Sequence, residues 1–168
     1  MLKMKEMPYV IGITMRLYPS DTQKDIIAYN DGAARFIYNR LVARHKELFS
    51  LRRVKTFVQP VSARITYLES LGENSSDFKA NYPFLEDKRI DAQMIANEIK
   101  NYRTAWHNFS TKPGASIPTF HKKGYDKRYQ TNAHYPKEAL AVSDGNVYLT
   151  DKCHIQLPKL GTVRFAGS

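Results

Sequence analysis

The sequence predicts an α+β fold, in which a small β-barrel formed by the first strand and the C-terminal strands carries an inserted helical lobe. Apolar residues alternate near the N-terminus and again after residue 138, and they recur every three or four positions in between. The chain has 168 residues, 42% of them hydrophobic, which is enough for one sizeable core or two small ones. We therefore expect a folded protein whose helices occupy the middle of the chain.

The first predicted strand covers residues 9–17, where apolar side chains alternate with Gly12, Thr14 and Arg16. Tyr18-Pro19 ends it. No other strand lies near it in sequence, so its backbone groups are most simply satisfied by pairing with the strands at the end of the chain. This pairing predicts a barrel domain made of residues 8–19 and 112–168.

A long helix is predicted from Ser20 to about Ser50. Ser20 precedes Gln23 by three residues, the spacing of a capping box, and apolar residues follow at helical intervals. Asn30-Asp31-Gly32 leaves an alternative open, because these poor helix formers favour a break. Residues 21–50 would then be two helices joined by a tight turn, a helix-turn-helix.

Two further helices complete the predicted lobe, residues 20–111. One ends on Gly72 as its C-terminal cap, and polar residues 74–79 are predicted to form a surface loop. The other covers residues 91–109, where apolar residues at spacings of four, three, four and three predict a buried stripe that ends on Phe109.

Four strands are predicted after residue 138. They are ALAVS, NVYLT, HIQLP and GTVRF, with Asp144-Gly145 as a hairpin signal between the first two.

Positive charge is concentrated in two parts of the chain. Lys plus Arg exceed Asp plus Glu by 26 to 16, a net charge of +10. The first basic segment, residues 35–64, has eight cations and one acid; the second, residues 100–137, has the same composition. Clustered cations with interleaved aromatic residues are typical of a polyanion-binding surface, although a solvated basic surface without a partner remains the alternative.

The string SIPTFHKKGYDKRYQT, residues 116–131, lies within the second basic segment. Its cations are predicted to contact phosphates, which position a nucleic acid without reading its sequence. They are Lys122, Lys123, Lys127 and Arg128. Tyr125 and Tyr129 either stack on bases or pack within the protein.

Several function classes have no support in the sequence. Cys153 is the only cysteine, so no internal disulfide is possible. Asp87 and Asp91 share a helix face, but their position is typical of helix N-terminal charges rather than of a two-metal site. No segment has the apolar length of a membrane span or the pattern of a signal peptide. We therefore expect a cytoplasmic, nucleoid-associated protein that has no membrane partner, metal, cofactor or catalytic residue.

Five strings in order resemble the N-terminal half of TnpB-type proteins, also called OrfB. These transposon-encoded transposases are RNA-guided endonucleases related to type V CRISPR effectors. The strings are RLYPS (16–20), ARFIYNRLVARHKELF (34–49), YRTAWHNF (102–109), IPTFHKKG (117–124) and IQLPKLGTVRF (155–165). The resemblance implies a wedge-like β-barrel and a helical recognition lobe, which hold guide RNA and read a motif beside the target DNA.

Site roles follow from this resemblance. The RNA side of the lobe is expected to include Arg40, Arg44, Arg52 and Arg53, and Arg35 is a further predicted nucleic-acid contact. Motif reading is implied for Asp91, Gln93, Ala96 and Thr131, and Asn97 is a further candidate because an amide can pair with an adenine edge.

The family continues into an RNase H-type nuclease domain with three catalytic carboxylates, and this chain ends at Ser168. We expect a chain that binds nucleic acid without being an enzyme, with Mg²⁺ needed only by a nuclease domain that is separate or missing.

A second hypothesis is a DNA-binding regulator that acts as a dimer on duplex DNA without RNA. Its recognition helix would place Arg35, Asn39, Arg40 and Arg44 in a major groove.

Overall fold

Four α-helices and one antiparallel sheet form the regular structure of the described residues, which confirms the α+β prediction. A computed structural model describes residues 12, 14–54, 59–124, 128–136 and 141–166. In chain order the elements are β1 (Leu17–Tyr18), α1 (Asp21–Leu51), α2 (Gln59–Ser70), α3 (Ser75–Asn81), α4 (Ala92–Thr111), β2 (Tyr148–Leu149), β3 (His154–Leu157) and β4 (Gly161–Phe165). Short 3₁₀ turns lie at Pro83–Glu86 and Val142–Asp144.

The sheet joins the first strand to the last. Its order is β1-β4-β3-β2, and every neighbouring pair is antiparallel. Leu17 pairs with Phe165, and Ile155 pairs with Val163. Along β4, Val163 and Phe165 are buried while Thr162 and Arg164 are exposed, so one face of the sheet covers a small apolar core. The predicted pairing with the C-terminal strands is confirmed at Leu17, the last residue of the predicted strand. The described residues 14–16 are not in a strand, and residues 9–11 and 13 lie outside the described residues.

The predicted barrel is wrong for the described residues, which form an open sheet. Closure needs both edge strands to pair on both sides. Here β1 and β2 are each two residues long, and each pairs on one side only. Part of the predicted ALAVS strand lies outside the described residues, and the rest includes the start of the 3₁₀ turn at Val142–Asp144. The Asp144-Gly145 hairpin therefore does not form.

The start of α1 follows the capping-box prediction. The Ser20 backbone N–H donates to Gln23 Oε1 (2.9 Å), and the Gln23 N–H donates to Ser20 Oγ (3.3 Å). Gln23 Nε2 also donates to the carbonyls of Leu160 and Thr162, both at 2.9 Å. The capping residue thus ties the first turn of α1 to the beginning of β4.

The helix continues unbroken through Asn30, Asp31 and Gly32, which confirms the single long helix and not the alternative of a break at these residues. Asn30 is fully buried. Its Nδ2 donates to the carbonyl of Arg89, and its Oδ1 accepts the backbone N–H of Asp91, each at 2.9 Å. A polar residue that favours turns is here a buried anchor, because distant backbone groups satisfy its amide.

The helices pack around a core formed mainly by α1 and α4. Ile37 and Leu41 of α1 and Ile95 and Tyr102 of α4 are almost inaccessible to solvent. The predicted stripe on α4 is therefore largely confirmed. It ends earlier than predicted, because Phe109 is exposed.

Residues 74–79 belong mostly to α3, so the predicted loop is wrong. The carboxylate of Asp77 accepts the Asn74 N–H (2.9 Å) and completes a capping box. Gly72 follows α2 as predicted, but its φ is not in the left-handed region. A Cβ there would lie 1.9 Å from Asp77 Oδ2, so glycine permits close approach to the cap of α3.

The chain divides into two compact units, and the division falls within α1. One contains the described residues up to Ile27 and those from Thr131 onward; the other contains Ala28–Gln130. The predicted domain roles, a wedge-like barrel at 8–19 and 112–168 and a recognition lobe at 20–111, stay predictions. Within the described residues, no helix has both the length and the hydropathy needed to cross a membrane.

Candidate nucleic-acid interface

Part of the second basic segment is fixed to α1 at His121. The Nδ2 of Asn39 donates to the His121 carbonyl (3.0 Å), and the His121 N–H donates to Asn39 Oδ1 (2.8 Å). The imidazole stacks on Tyr38, with ring centroids 3.7 Å apart and planes inclined by 10°. One asparagine and one tyrosine thus hold the loop after α4, whose described residues 115–124 and 128–136 have no secondary structure of their own.

A basic groove of about 380 Å³ lies beside this attachment. Its lining includes Arg35 from α1 and Lys122 and Arg128 from the loop. Asp31 holds two of them in place, since its carboxylate accepts Arg35 Nε at 3.2 Å and the backbone N–H of Arg128 at 3.4 Å. Three cations predicted from two distant segments therefore line one groove.

The charge of the basic groove comes from arginine and lysine. Burial, reinforced by the charge of Arg128, lowers the pKa of His121 below 6.5. Glu98 lies 3.9 Å from the imidazole, and burial, with a smaller effect of Asp31, raises the pKa of its carboxyl. Near neutral pH the imidazole is therefore uncharged and serves as a packing group.

An exposed aromatic ring also lines the basic groove. Phe120 keeps 49% of its surface accessible, and Lys46 Nζ lies 4.8 Å from its ring centroid. An accessible ring beside cations has the composition of surfaces on which single-stranded bases stack.

The predicted arginines of α1 and the segment after it differ in their surroundings. Arg44 is enclosed: its guanidinium donates to the carbonyls of Leu71 and Gly72 and lies 2.7 Å from Glu73. Arg52 forms an exposed ion pair with Glu69 at 2.6 Å.

Arg40 and Arg53 are exposed and lie over aromatic rings. The guanidinium of Arg40 is 5.1 Å from the Phe36 ring centroid, and that of Arg53 is 4.7 Å from Phe49. A cation held over a ring keeps its N–H donors at the edge of the group available to a phosphate.

Two of the motif-reading candidates are buried. Asp91 is 4% exposed and caps α4, where its carboxylate accepts the Gln93 N–H and the Tyr129 hydroxyl, each at 2.9 Å. Asn97 is 6% exposed and faces the core side of α4. Gln93 is partly exposed, and Thr131 belongs to the other compact unit. Burial withdraws Asp91 and Asn97 from any base edge.

Four more residues of the second basic segment were predicted to contact nucleic acid, and two of them belong to the described residues. Lys123 is exposed beside Lys122. Tyr125 and Lys127 lie outside the described residues. Tyr129 is partly buried with its hydroxyl on Asp91, which favours the packing alternative for this ring.

Asn39, Asp31 and Phe120 are the residues that sequence reasoning did not assign to this surface. Asn39 appeared only as a base reader in the regulator hypothesis. Its amide instead binds the backbone of His121, and the helix that would present it is continuous. The Asn39 amide is therefore engaged within the protein and is not available to read a base.

No group of three His, Cys, Asp or Glu side chains among the described residues is arranged to hold a metal ion.

Comparison with known families identifies a match at the N-terminal end of the chain. Residues 7–53 match the family model HTH_OrfB_IS605, described as a helix-turn-helix domain. The match supports an N-terminal region of the IS605/OrfB transposase type, and with it a DNA-binding, transposase-related function. A search of curated proteins found no match to the chain.

Proposed function

We propose that this chain is the nucleic-acid-binding region of a TnpB/OrfB-type RNA-guided DNA endonuclease. In this proposal it holds guide RNA, takes part in reading a motif beside the target DNA, and does not cut. The observation that carries the proposal is the basic groove, in which Arg35 meets Lys122 and Arg128 although the two segments lie far apart in sequence. The family match at residues 7–53 supports the transposon context.

The basic groove suits a phosphate backbone better than a base edge. Its lining includes three cations, Arg35, Lys122 and Arg128, and Asp31 is the only acid among the described lining residues. Phosphate contacts of this kind supply affinity and orientation and make binding strongly dependent on salt.

Side-chain exposure and ion pairing decide which of the predicted residues we propose as contacts to nucleic acid. We retain Lys122 and Arg128 at the basic groove, with Arg35, whose Nε pairs with Asp31 but whose side chain stays 26% exposed. We retain Lys123, Arg40 and Arg53 as exposed cations elsewhere. We omit Arg44, because its guanidinium is bound within the chain. For motif reading we retain Gln93, the candidate on α4 whose side chain is partly exposed.

Retained RNA tests the proposal directly. The purified chain is divided, one half is treated with RNase, and the nucleic acid that stays bound is sequenced. One enriched structured RNA that disappears on RNase treatment is the expected result. A duplex DNA motif with two-fold symmetry and no enriched RNA would instead favour a dimeric regulator.

Charge reversal then tests the basic groove. Lys122→Glu with Arg128→Glu should weaken binding of the enriched RNA about tenfold or more, and each lost phosphate contact should lower the salt slope by about 0.7. Lys88→Glu with Lys100→Glu is the matched control, because it changes the net charge by the same amount and both residues are exposed and do not line the groove. Equal loss in this control would mean that net charge, rather than the basic groove, binds RNA.

Cleavage is tested with the same RNA. The chain, its RNA and a matching DNA target are incubated with Mg²⁺ or Mn²⁺, and intact DNA is expected. Guided cutting that a single substitution abolishes would refute the claim that the chain only binds.

A further inference from the structure

A second cavity lies among α1, α2 and α3, and none of its lining residues is shared with the basic groove. Its volume is about 180 Å³. Pockets for drug-sized ligands are larger, about 300–1,000 Å³. The space therefore suits a small flat group rather than an extended ligand. We call it the helical cavity.

Part of the helical cavity is apolar. Leu41, Leu68 and Phe78 contribute to its lining and are at most 5% exposed, so this part of the wall belongs to the packed interior. Tyr67 and Tyr82 also line it, and Tyr67 is 52% exposed. A wall of leucine and aromatic rings favours a planar apolar group, because burying one removes apolar surface from water.

Two of the three arginines in the lining are neutralised within the protein. Arg64 donates to both carboxylate oxygens of Glu47, at 2.7 and 3.2 Å. Arg44 is paired with Glu73. Neither pair leaves a net charge to attract a ligand.

Arg40 is the remaining cation of the helical cavity. It is exposed, and no carboxylate of the described residues pairs with it. Its guanidinium lies 5.1 Å from the ring of Phe36 and 5.4 Å from that of Tyr82. The two rings meet edge to face, with centroids 4.9 Å apart, so the cation lies over a rigid aromatic pair at the cavity.

We propose that the helical cavity binds one unstacked nucleotide of a single strand, with the base against Leu68 and the tyrosines and the phosphate at Arg40. This inference rests on the proposed function and adds a specific ligand subsite to it. A planar apolar group joined to an anion matches a cavity that has apolar and aromatic walls and one uncompensated cation. Asn81 also lines the cavity; its Nδ2 donates to the Asp77 carbonyl at 2.9 Å, and its Oδ1 can accept from a base edge.

Binding of adenosine monophosphate tests the inference without a long RNA. Amide resonances of the full chain are followed by NMR during titration with adenosine monophosphate, ribose 5-phosphate and inorganic phosphate. We expect saturable shifts around Ala43, Leu68 and Asn81 with the nucleotide and much weaker binding of the two compounds without a base. Equal affinity for inorganic phosphate, or shifts confined to other parts of the chain, would overturn the inference.

Substitutions separate the base from the phosphate. Ala43→Leu fills the helical cavity without changing charge and should weaken nucleotide binding at least tenfold. Tyr67→Leu, at an exposed ring, should weaken it about tenfold through lost stacking. Arg40→Met should reduce affinity for the nucleotide more than affinity for adenosine.

Arg16→Met is the control, because Arg16 is exposed and lies over the Tyr18 ring, 5.5 Å from its centroid, but does not line the cavity. It should leave nucleotide affinity unchanged. Wild-type affinity in both Ala43→Leu and Tyr67→Leu would refute a base in the helical cavity, and CD spectra of each variant establish that it is folded.

The two proposals fail in different ways. If the chain retains an enriched RNA but the nucleotide leaves the cavity unperturbed, the helical cavity is not a base site and guide binding stands. If the nucleotide binds in the cavity while no RNA is retained under any condition, the guide-binding proposal falls and the base site is supported.

Discussion

The first and second basic segments have the same net charge and use their cations differently. Among the described cations of residues 35–64, four are paired with carboxylates: Arg35, Arg44, Arg52 and Arg64. In residues 100–137 only Arg103 has such a partner among the described residues, Glu73 at 4.0 Å. Lys122 and Lys123 are exposed and have none there. Equal net charge therefore does not mean that equally many cations are available to a phosphate, because the carboxylate partner of a paired cation offsets its charge.

The largest expected effect concerns the most enclosed member of the first basic segment. Arg44→Ala removes a side chain that is 13% exposed and leaves the carboxylate of Glu73 and two carbonyls without their donor. We expect the free energy of unfolding to fall by about 2–4 kcal/mol. Urea denaturation followed by far-UV CD measures it.

Arg52→Ala is the matched control, since its ion pair with Glu69 is exposed. It should change stability by less than about 1 kcal/mol. Similar urea midpoints for the two variants would contradict the claim that the enclosed Arg44 stabilises the fold more than the exposed Arg52.

Asn39→Ala tests whether the second basic segment must be held to α1 in order to bind RNA. It removes both hydrogen bonds to the His121 backbone and should cost about 1–2 kcal/mol of stability. It should also weaken RNA binding although every cation is retained, because the loop cations lose their fixed position. Asn108→Ala on α4, whose side chain makes no hydrogen bond to the described residues, is the control for both measurements. Unchanged RNA affinity in Asn39→Ala would mean that the loop binds without being held to α1.

Gly32→Ala tests whether α1 is one rigid helix that holds the first basic segment. A Cβ at Gly32 would meet only Arg35, at 3.8 Å, which is ordinary contact. In a continuous helix alanine should raise stability by about 0.5–1 kcal/mol. A helix-turn-helix with glycine in the left-handed region predicts a loss instead, so the sign of the change in thermal midpoint decides between them.

The smallest expected effect is the contribution of His121 to the pH dependence of stability. Its pKa is lowered by burial and by Arg128, so the folded state binds a proton more weakly than the unfolded state. The resulting stability is present above about pH 6.5 and is lost as pH falls through the lower pKa of the folded protein. Glu98, whose pKa is raised, acts in the opposite direction and loses its contribution as pH rises.

His121→Phe keeps a ring on Tyr38 and removes the titration. Its urea midpoint should fall less than that of the wild type between about pH 7.5 and about pH 5.5. The comparison is repeated in Glu98→Gln to remove the second group. Parallel curves for wild type and His121→Phe would show that the imidazole does not carry the pH dependence.

Much of the secondary structure was predictable because it depends on local patterns. The capping box at Ser20 and Gln23 and the stripe on α4 are short-range signals, and both are present. The alternative of a break at Asn30-Asp31-Gly32 is not realised, because the Asn30 amide is satisfied by backbone groups about 60 positions away. The loop at 74–79 was wrong because polar residues fit a short capped helix as well as they fit a turn.

The sequence predicted that the site is basic, but it did not predict which of the candidate residues are accessible to a ligand. Charge clustering identified Arg35, Lys122 and Arg128, which meet in the basic groove. The same reasoning included Arg44 and the resemblance implied Asp91, and both are enclosed. Nothing in the spacing of these residues distinguishes a cation that faces solvent from one that meets a carboxylate.

By itself, the sequence determined the positions of the long helices, the pairing of Leu17 with the C-terminal strands, and the two segments that carry the excess charge. The helices and the charged segments follow from periodicity, capping and composition, which act over a few residues. The pairing follows because the backbone groups of the first strand need hydrogen-bond partners. Tertiary structure alone decided that α1 is continuous, that Asp91 is a buried cap, and which arginines remain available. Those outcomes depend on partners such as Glu73, Arg89 and His121, which folding brings from distant parts of the chain, and ion pairing and burial are set by distance in space rather than along the sequence.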